Sequence, residues 1–336
     1  MGRLTQHLTG LGLADGSLRA QPLTGSHSNP TFLLESGKRR MVLRKTPVKR
    51  LPPSTHALDR EHRIMAALSA TMVPVPEMLH FCSDLDVIGT PFLLMDHVRG
   101  RVFSDPSLPG MPPSARTAIY QEMARVLAVL HNVDPVHAGL ADFSPAEPFF
   151  QSQVARWTQQ YLDAAPAPVQ AMTQLAQWLP EHLPQDGSRR LLHGDYRIDN
   201  LVFHPTEPRV ISLVDWEFAA VGDPMADLAF HLLAWHIPST VWHGMAESDL
   251  KSLGIPSAAG FARHYAQCRG IKEIRHLDAY LAYACFRVAA ILQCIATREG
   301  RKGDTPHARS EALAGAVAPI AALGWRRAIR HGERAR

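Results

Sequence analysis

The chain is predicted to adopt an α+β fold, β-rich in its N-terminal part and mainly helical in a larger C-terminal part. Three observations predict it. Short apolar runs bounded by turn residues, such as Thr31-Phe-Leu-Leu34, Met41-Val-Leu43 and Pro91-Phe-Leu-Leu-Met95, crowd the N-terminal part. From Ser114 onward the apolar residues instead recur at helical spacing. One further pair of short apolar runs, Leu201-Val-Phe203 and Val210-Ile-Ser-Leu-Val214, interrupts the helical part and reads as strand, turn, strand.

Composition agrees with a globular chain. Its 336 residues have room for two real cores, and 46% hydrophobic with 20% charged residues is ordinary for a folded domain. No apolar run of the roughly 18 residues that span a bilayer is expected, and Met1-Gly-Arg-Leu-Thr-Gln-His7 lacks the apolar core of a signal peptide. Cys82, Cys268, Cys285 and Cys294 show neither metal-site nor disulfide-framework spacing, so they are expected as reduced, small core residues. These features lead to the expectation of a cytoplasmic protein that binds neither membrane nor nucleic acid. The net charge of +4 is basic, but no stacking aromatics alternate with the charges.

The elements follow in order. Leu23 to Leu34 has small residues in its middle and an apolar run after them. A turn there could hold backbone N–H groups over phosphates, and an ordinary hairpin turn accounts for the same residues equally well. In the strand Met41-Val-Leu-Arg-Lys45, residues two apart share a face, so Val42 goes with Arg44 and Leu43 with Lys45. His56 to Ala70 carries Leu58, Ile64, Met65 and Leu68 at near-helical spacing, together with Glu61. Val73-Pro-Val-Pro76 breaks the chain. Pro91 to Val98 is a strand that stops at Arg99-Gly100. Ser114 to Asn132 places Ile119, Met123, Val126, Leu127 and Leu130 along one helix face, and His131 closes that helix as a packing or capping residue. Trp157, Tyr161, Leu175 and Trp178 are expected in the core. Asp223-Pro-Met opens another helix, with Asp223 as its N-cap. His231, His236 and His243 do not share one helix face, so packing or surface roles are expected for them.

The chemistry concentrates in Leu191-Leu-His-Gly-Asp-Tyr-Arg-Ile-Asp-Asn200 and Val214-Asp-Trp-Glu217. Asn200 stands five residues after Asp195, and a hairpin from 201 to 214 carries Asp215 back beside Asn200. In protein kinases, an Asp that accepts a hydroxyl proton, an Asn five residues on and a later Asp serve as base and metal ligands. A carboxylate, an amide oxygen and ATP phosphates together suit Mg²⁺, which prefers hard oxygen donors. Any one of these short patterns occurs in ordinary turns; their combination points to phosphoryl transfer.

On these blocks, and on Gly25–Arg44, the chain resembles the aminoglycoside phosphotransferase and choline kinase-like family. Within that family it resembles the kinase domain attached to some acyl-CoA dehydrogenases. The resemblance covers about residues 20–300 and implies a two-lobed protein-kinase-like fold. It divides the chain into a nucleotide-binding N-terminal lobe over 1–95, a hinge over 96–100, and a helical lobe over 101–336 with the catalytic loop and acceptor site. It also implies ATP and Mg²⁺ as cofactors and a set of residue roles. Asp195 is the catalytic base, and Asn200 and Asp215 bind the metal. Ser28, Asn29 and Thr31 lie over the phosphates. Arg44, with Lys45 as the fallback, takes the α- and β-phosphates, and Glu61 pairs with it. Met95 sits behind adenine, with the Asp96 carbonyl and Val98 amide on its edge. Asp227 orders the catalytic loop rather than binding metal.

Substrate class is less legible. Glu217 stands where a protein kinase has the Gly of Asp-Phe-Gly, and Ala226, eleven positions after Asp215, is already in the next helix. A long peptide-binding segment is therefore missing, and a small-molecule hydroxyl is expected as acceptor. Residues 261–336 hold 14 Lys plus Arg against 6 Asp plus Glu. Aminoglycosides are polycations and need an acidic pocket. A basic C-terminal region favours an anionic or neutral acceptor, such as a hydroxyacyl thioester. An aminoglycoside- or choline-type kinase, and a nucleotide-binding protein without catalysis, are the alternatives.

Overall fold

The protein is described by a computed structural model, covering residues 1–23, 29–47, 55–144, 147–165, 167–184, 188–302 and 307–334; the side chains of 55–57, 301, 302, 307 and 334 are outside that description. The chain runs α1 (Gly2–Gly10), β1 (Arg19–Pro22), β2 (Thr31–Ser36), β3 (Arg39–Lys45), α2 (Thr55–Leu68), β4 (Met78–Cys82), α3 (Leu85–Ile88) and β5 (Phe92–Asp96). It continues through α4 (Pro113–Asn132), α5 (Phe149–Ala164), α6 (Gln170–His182), β6 (Arg190–Leu192), β7 (Leu201–Phe203), β8 (Val210–Leu213), β9 (Ala220–Gly222) and α7 (Met225–Leu232). It ends with α8 (Leu250–Leu253), α9 (Ala258–Arg269), α10 (Leu277–Lys302) and α11 (His307–Arg334). The mixture of a small antiparallel sheet with many helices is the α+β class expected from sequence.

Two compact units form. The first holds Met1–Val102, Ala138–Leu140 and Asn200–Ala219; the second holds Phe103–His137, Ala141–Asp199 and Ala220–Arg336. The segment 96–100 falls inside the first unit, and so does the hairpin that begins at Asn200.

In the first unit a five-stranded sheet has the order β1-β2-β3-β5-β4, each neighbouring pair antiparallel. Because strand side chains alternate, the sheet has two different faces. Met41 and Leu43 of β3, Phe92 and Leu94 of β5 and Cys82 of β4 pack with Leu4 and Leu8 of α1. Val42 and Arg44 point to the other face, where α2 buries Leu58, Ile64, Met65 and Leu68 and brings Glu61 to Arg44. The sequence pattern had revealed β2, β3, α2 and β5. It had not revealed α1 or β4, because Leu4 and Leu8 alone are a short signal and Met78-Leu-His-Phe-Cys82 is a short run interrupted by His80.

The hairpin β7–β8 forms as expected, with Leu201 opposite Leu213 and Val202 opposite Ser212. It is anchored to the chain after β5 by a two-way backbone bridge, Arg101 N–H to Phe203 C=O and Phe203 N–H to Arg101 C=O, each 2.8 Å. Gly100 permits this approach: a Cβ there would stand 2.3 Å from the Phe203 carbonyl oxygen.

The second unit is helical apart from the short pair β6–β9. Ile119, Met123, Val126, Leu127 and Leu130 of α4 are all buried, as their periodicity requires, and so are Trp157, Tyr161 and Leu175. Trp178 departs from its expected core position: it is half-buried and stacks on His182 at 4.1 Å. The helix placed at Asp223 begins instead at Met225; the Asp223 carboxylate accepts the Met225 N–H at 2.8 Å from just outside it. One sequence expectation is corrected outright. Leu277–Gly300 of α10 is long and apolar enough to cross a membrane by length and composition, yet 83% of its apolar 18-residue part is buried inside the protein. It is the central core helix of the unit, and Arg287 within it donates to the Gly194 carbonyl. Cys82 and Cys285 are buried and Cys268 and Cys294 half-buried, all as free thiols.

Candidate functional site

In the first unit the site is built around one cation. Arg44 ends the buried stretch of β3 and is only 7% exposed. Its guanidinium lies 3.3 Å from Glu61 Oε1, 2.6 Å from Asp215 Oδ1 and 3.3 Å from Glu217 Oε2. Burial pulls the guanidinium down, but the three carboxylates more than offset this and hold it above its ordinary range. Glu61, 2% exposed, responds the other way: burial pushes its carboxyl up to about 7 despite the Arg44 charge, with Asp215 and Glu217 adding to the rise. Among the described residues, three carboxylates face this one guanidinium. Lys45, the alternative phosphate ligand, is half-buried on the opposite face of β3.

The carboxylate partners arrive from the hairpin. The Val214 N–H donates to the Asn200 C=O at 3.0 Å, so Asp215 follows directly on the residue paired with Asn200. Asn200 is 7% exposed, whereas the Asp215 side chain is a third exposed. Asp215 has φ +68°, a left-handed conformation that Asp tolerates better than most residues and that turns its carboxylate toward Arg44. Glu217, two residues on, lies in the same short turn Trp216–Phe218 and completes the cluster. Sequence reasoning had noted Glu217 as a departure from the kinase pattern without giving it a place in the site. The signal was available in the Asp-Trp-Glu triplet, two carboxylates at a spacing that a tight turn brings together.

Of the described residues expected to contact nucleotide, Thr31 is the one paired with Arg44 in the sheet. Thr31 opens β2 directly across the ladder from Arg44, and its hydroxyl donates to the Asn29 C=O at 3.0 Å. Asn29 is buried. Ser28 lies outside the described residues. Met95 is buried in β5 opposite Val42, and Asp96 pairs with Met41. Val98 follows the strand and is half-buried.

In the second unit the loop after β6 is held by its backbone. Asp227, 1% exposed on α7, accepts the His193 N–H at 2.6 Å and the Gly194 N–H at 2.9 Å, one on each carboxylate oxygen. Burial alone would raise this carboxyl, but His131 and these amides hold it below its usual range. His131, expected as a packing residue, lies between Tyr265 Oη at 2.7 Å and Asp227 Oδ2 at 3.4 Å. Arg287 donates to the Gly194 C=O, and Gly194 itself takes φ +81°. His193 Nδ1 accepts the Asp195 N–H at 3.2 Å, which puts the ring proton on Nε2. The loop is thereby fixed at three consecutive residues.

Asp195 projects from this frame with 8% of its surface exposed. Arg197 faces it, with Nε 3.0 Å from Oδ1 and Nη2 3.2 Å from Oδ2, and also reaches Asp199 Oδ2 at 3.2 Å. The Arg197 guanidinium lies 5.4 Å over the Trp242 ring. Within the same unit Arg197, Asp199, Trp242, Tyr120, Trp235 and His231 line a pocket. Burial pushes His231 down to about 4, so that it is neutral near pH 7. Among the described residues of 261–336, Arg326 and Arg330 are exposed on α11, and Arg327 is paired with Asp278 at 3.0 Å, none of them lining this pocket. Arg197 was not singled out from sequence, since a lone Arg two residues after an Asp carries no distinguishing pattern.

The Glu61 carboxyl yields a pH prediction. Its folded value of about 7 lies above the ordinary 4.5, so the folded state holds this proton more tightly than the unfolded chain. The stability linked to Glu61 is complete below about pH 4.5 and is lost as pH rises toward about 7. Glu61→Gln is expected to flatten that part of the profile. Urea midpoints measured across this range test it, and equal slopes in the two proteins would refute it.

The phosphotransferase enzyme family model matches residues 19–271 of the chain. Acyl-CoA dehydrogenase family member 10 of Mus musculus is 42% identical over 309 residues, covering 91% of this chain and 29% of the mouse protein. The chain spans less than half of the length of the curated relatives it matches first. A crystal structure from Ralstonia eutropha JMP134, provisionally assigned as an aminoglycoside phosphotransferase, is 40% identical with a TM-score of 0.86 and covers 98% of both chains. The GDP complex of aminoglycoside 2'-phosphotransferase-IIIa has a TM-score of 0.64 at 17% identity, covering 95% of this chain and 98% of that one. At that identity the likeness concerns the fold alone.

Proposed function

This chain belongs to the phosphotransferase enzyme family, and on that premise we propose that it transfers the terminal phosphoryl group of Mg-ATP to a hydroxyl of a small molecule. The observation that carries the reading is the cluster in which Arg44 meets Glu61, Asp215 and Glu217, with the Asn200 C=O accepting the Val214 N–H just before Asp215. Among the described residues, three carboxylates on one guanidinium, with Asn200 at the base of the same hairpin, fit a site that takes a hard divalent cation. Asn200 and Asp215 are the residues that would hold it. A Mg²⁺ held there would supply neutralisation of the charge that develops on the phosphates during transfer.

The chain's own residues do the remaining work. Arg44 engages the α- and β-phosphates, and Glu61 holds it in place. Ser28, Asn29 and Thr31 position phosphate oxygens, while Met95, Asp96 and Val98 accommodate adenine. Asp195 orients the acceptor hydroxyl and takes its proton. Phosphoryl transfer is loose, so positioning by a carboxylate on a rigid loop contributes more than basicity. Asp227, His193 and Arg287 supply that rigidity.

The lining of the pocket near Asp195 bears on the acceptor. It carries one permanent cation, Arg197, already shared between two carboxylates, and it is otherwise rich in aromatic rings. That lining suits a neutral or singly anionic organic alcohol, such as a hydroxyacyl compound, better than a polycationic aminoglycoside.

The test is nucleoside diphosphate release from Mg-ATP, and in parallel Mg-GTP, with a panel of hydroxyacyl thioesters, carboxylated alcohols, choline-like alcohols and aminoglycosides. Turnover on one class is the expected result. Asp215→Ala is expected to abolish the rise in melting temperature that Mg-ATP produces in the unmodified protein, and turnover with it. A full Mg-ATP shift in Asp215→Ala would remove that residue from the metal site. A shift in the unmodified protein without turnover on any compound would favour a nucleotide-binding protein that does not catalyse.

A further inference from the structure

We propose that His7, His80 and Cys82 form a metal site that takes one divalent ion of the zinc class and fastens α1 to the edge strand β4. The three ligand atoms converge from distant parts of the sequence. His7 Nε2 and His80 Nε2 are 3.1 Å apart, and the Cys82 Sγ lies with them in a group whose members are all within 4.8 Å of one another. Zinc binds imidazole nitrogen at about 2.0–2.1 Å and thiolate sulfur at about 2.3 Å, so two nitrogens on one tetrahedral ion stand about 3.3 Å apart. The two rings already have that spacing, and the sulfur needs to close by roughly an ångström at most.

The placement follows from the fold. His80 and Cys82 are two residues apart on β4 and therefore share a face. That face carries α1, because Leu4 and Leu8 pack against Met41, Leu43, Cys82 and Phe92. His7 stands next to Leu8 on the same helix and is brought over His80, their ring centroids 5.2 Å apart. Phe92 closes one side, its ring edge-on to both imidazoles at 6.1 and 6.2 Å. A partly buried pocket of two imidazoles and a thiol with an apolar wall is a donor set that selects borderline-soft ions over Mg²⁺ or Ca²⁺. Three protein ligands leave the fourth tetrahedral position for water.

The site lies on the face of the sheet opposite Arg44 and Glu61, so its role is to hold α1 rather than to take part in phosphoryl transfer. The alternative is a simple His–His hydrogen bond beside a core thiol.

The experiment uses the full chain, stripped with a chelator and then titrated with Zn²⁺ or with Co²⁺ as a spectroscopic substitute. The expected result is one Zn²⁺ retained per chain after dialysis and a higher melting temperature. With Co²⁺, a tetrahedral visible spectrum with a thiolate-to-cobalt charge-transfer band is expected. Cys82→Ser should remove the thiolate band, and His7→Gln and His80→Gln should remove the thermal response and weaken Zn²⁺ binding at least tenfold. Cys82 is buried among core residues; should its variant not fold, His7→Gln carries the test, because His7 is half-buried on a surface helix. No cobalt band, together with the same thermal response to Zn²⁺ in His7→Gln and unmodified protein, would overturn the proposal in favour of the hydrogen-bonded pair. One equivalent of metal bound without a thiolate band would overturn the ligand set.

Discussion

Asp195→Ala is expected to lower turnover by about 10²–10⁴-fold, the usual contribution of a positioned acid–base group, while leaving nucleotide affinity nearly unchanged. The loop that carries Asp195 is held through its backbone: Asp227 takes the His193 and Gly194 amides, and Arg287 takes the Gly194 carbonyl. None of these bonds involves the Asp195 side chain, so truncation removes a carboxylate without releasing its frame. Arg197 loses one partner and keeps Asp199. The expected kinetic signature is a large fall in kcat with the KM for ATP and the Mg-ATP thermal shift preserved. Asp195→Asn should behave like the alanine variant, because an amide keeps the shape and cannot take the proton. Wild-type turnover in either variant would sink the assignment of Asp195. A lost thermal shift would show instead that the substitution had disturbed nucleotide binding.

Arg44→Met is expected to cost about 3–5 kcal/mol of stability, the range for removing one partner of a buried ion pair. Arg44 and Glu61 are 7% and 2% exposed, so the glutamate left behind has little access to water. Asp215 and Glu217 would then repel it without the guanidinium between them. The double variant Arg44→Met/Glu61→Leu is expected to recover most of the loss, since no buried charge is left unpaired. Neither variant should show a thermal shift with Mg-ATP, because the cation proposed to bind the phosphates is gone from both. Urea unfolding of the four combinations measures the coupling. A cost below about 1 kcal/mol for Arg44→Met, as in exposed pairs, would mean that Glu61 finds another partner. An unchanged Mg-ATP shift would transfer the phosphate role to another side chain, with Lys45 the first to test.

The two results are separable. Asp195 belongs to a loop whose scaffold survives its substitution, whereas Arg44 is itself part of the scaffold around Asp215. A protein in which Asp195→Ala is inactive and still binds Mg-ATP, while Arg44→Met neither binds Mg-ATP nor retains stability, matches the proposed division of roles.

Much of the site was legible before any coordinates. The hairpin from 201 to 214 was visible as two apolar runs around a Pro-containing turn, and hairpin geometry then requires Asp215 to follow the residue paired with Asn200. Arg44 was preferred to Lys45 on the family resemblance, strand alternation put it on the Val42 face, and the structure gives that face its partner, α2 with Glu61. The charge excess of residues 261–336 was less informative: among the described residues Arg326 and Arg330 are exposed on α11, Arg327 pairs with Asp278, and Arg287 donates to the Gly194 carbonyl.

What the sequence by itself determined was local: the strands and helices that follow from period-two and period-3.6 placement of side chains, and the five-residue interval between Asp195 and Asn200. These depend only on bond geometry and on which side chains avoid water, and a short window contains both. What the tertiary structure alone decided was which distant residues meet. Arg44 pairs with Asp215 across 171 positions, His131 with Tyr265 across 134, and His7 with His80 across 73. The same holds for α10, whose composition suits a bilayer and whose neighbours bury it inside the protein. Such pairings are selected by how whole faces of helices and sheets cover one another, and no spacing within a single segment records that choice.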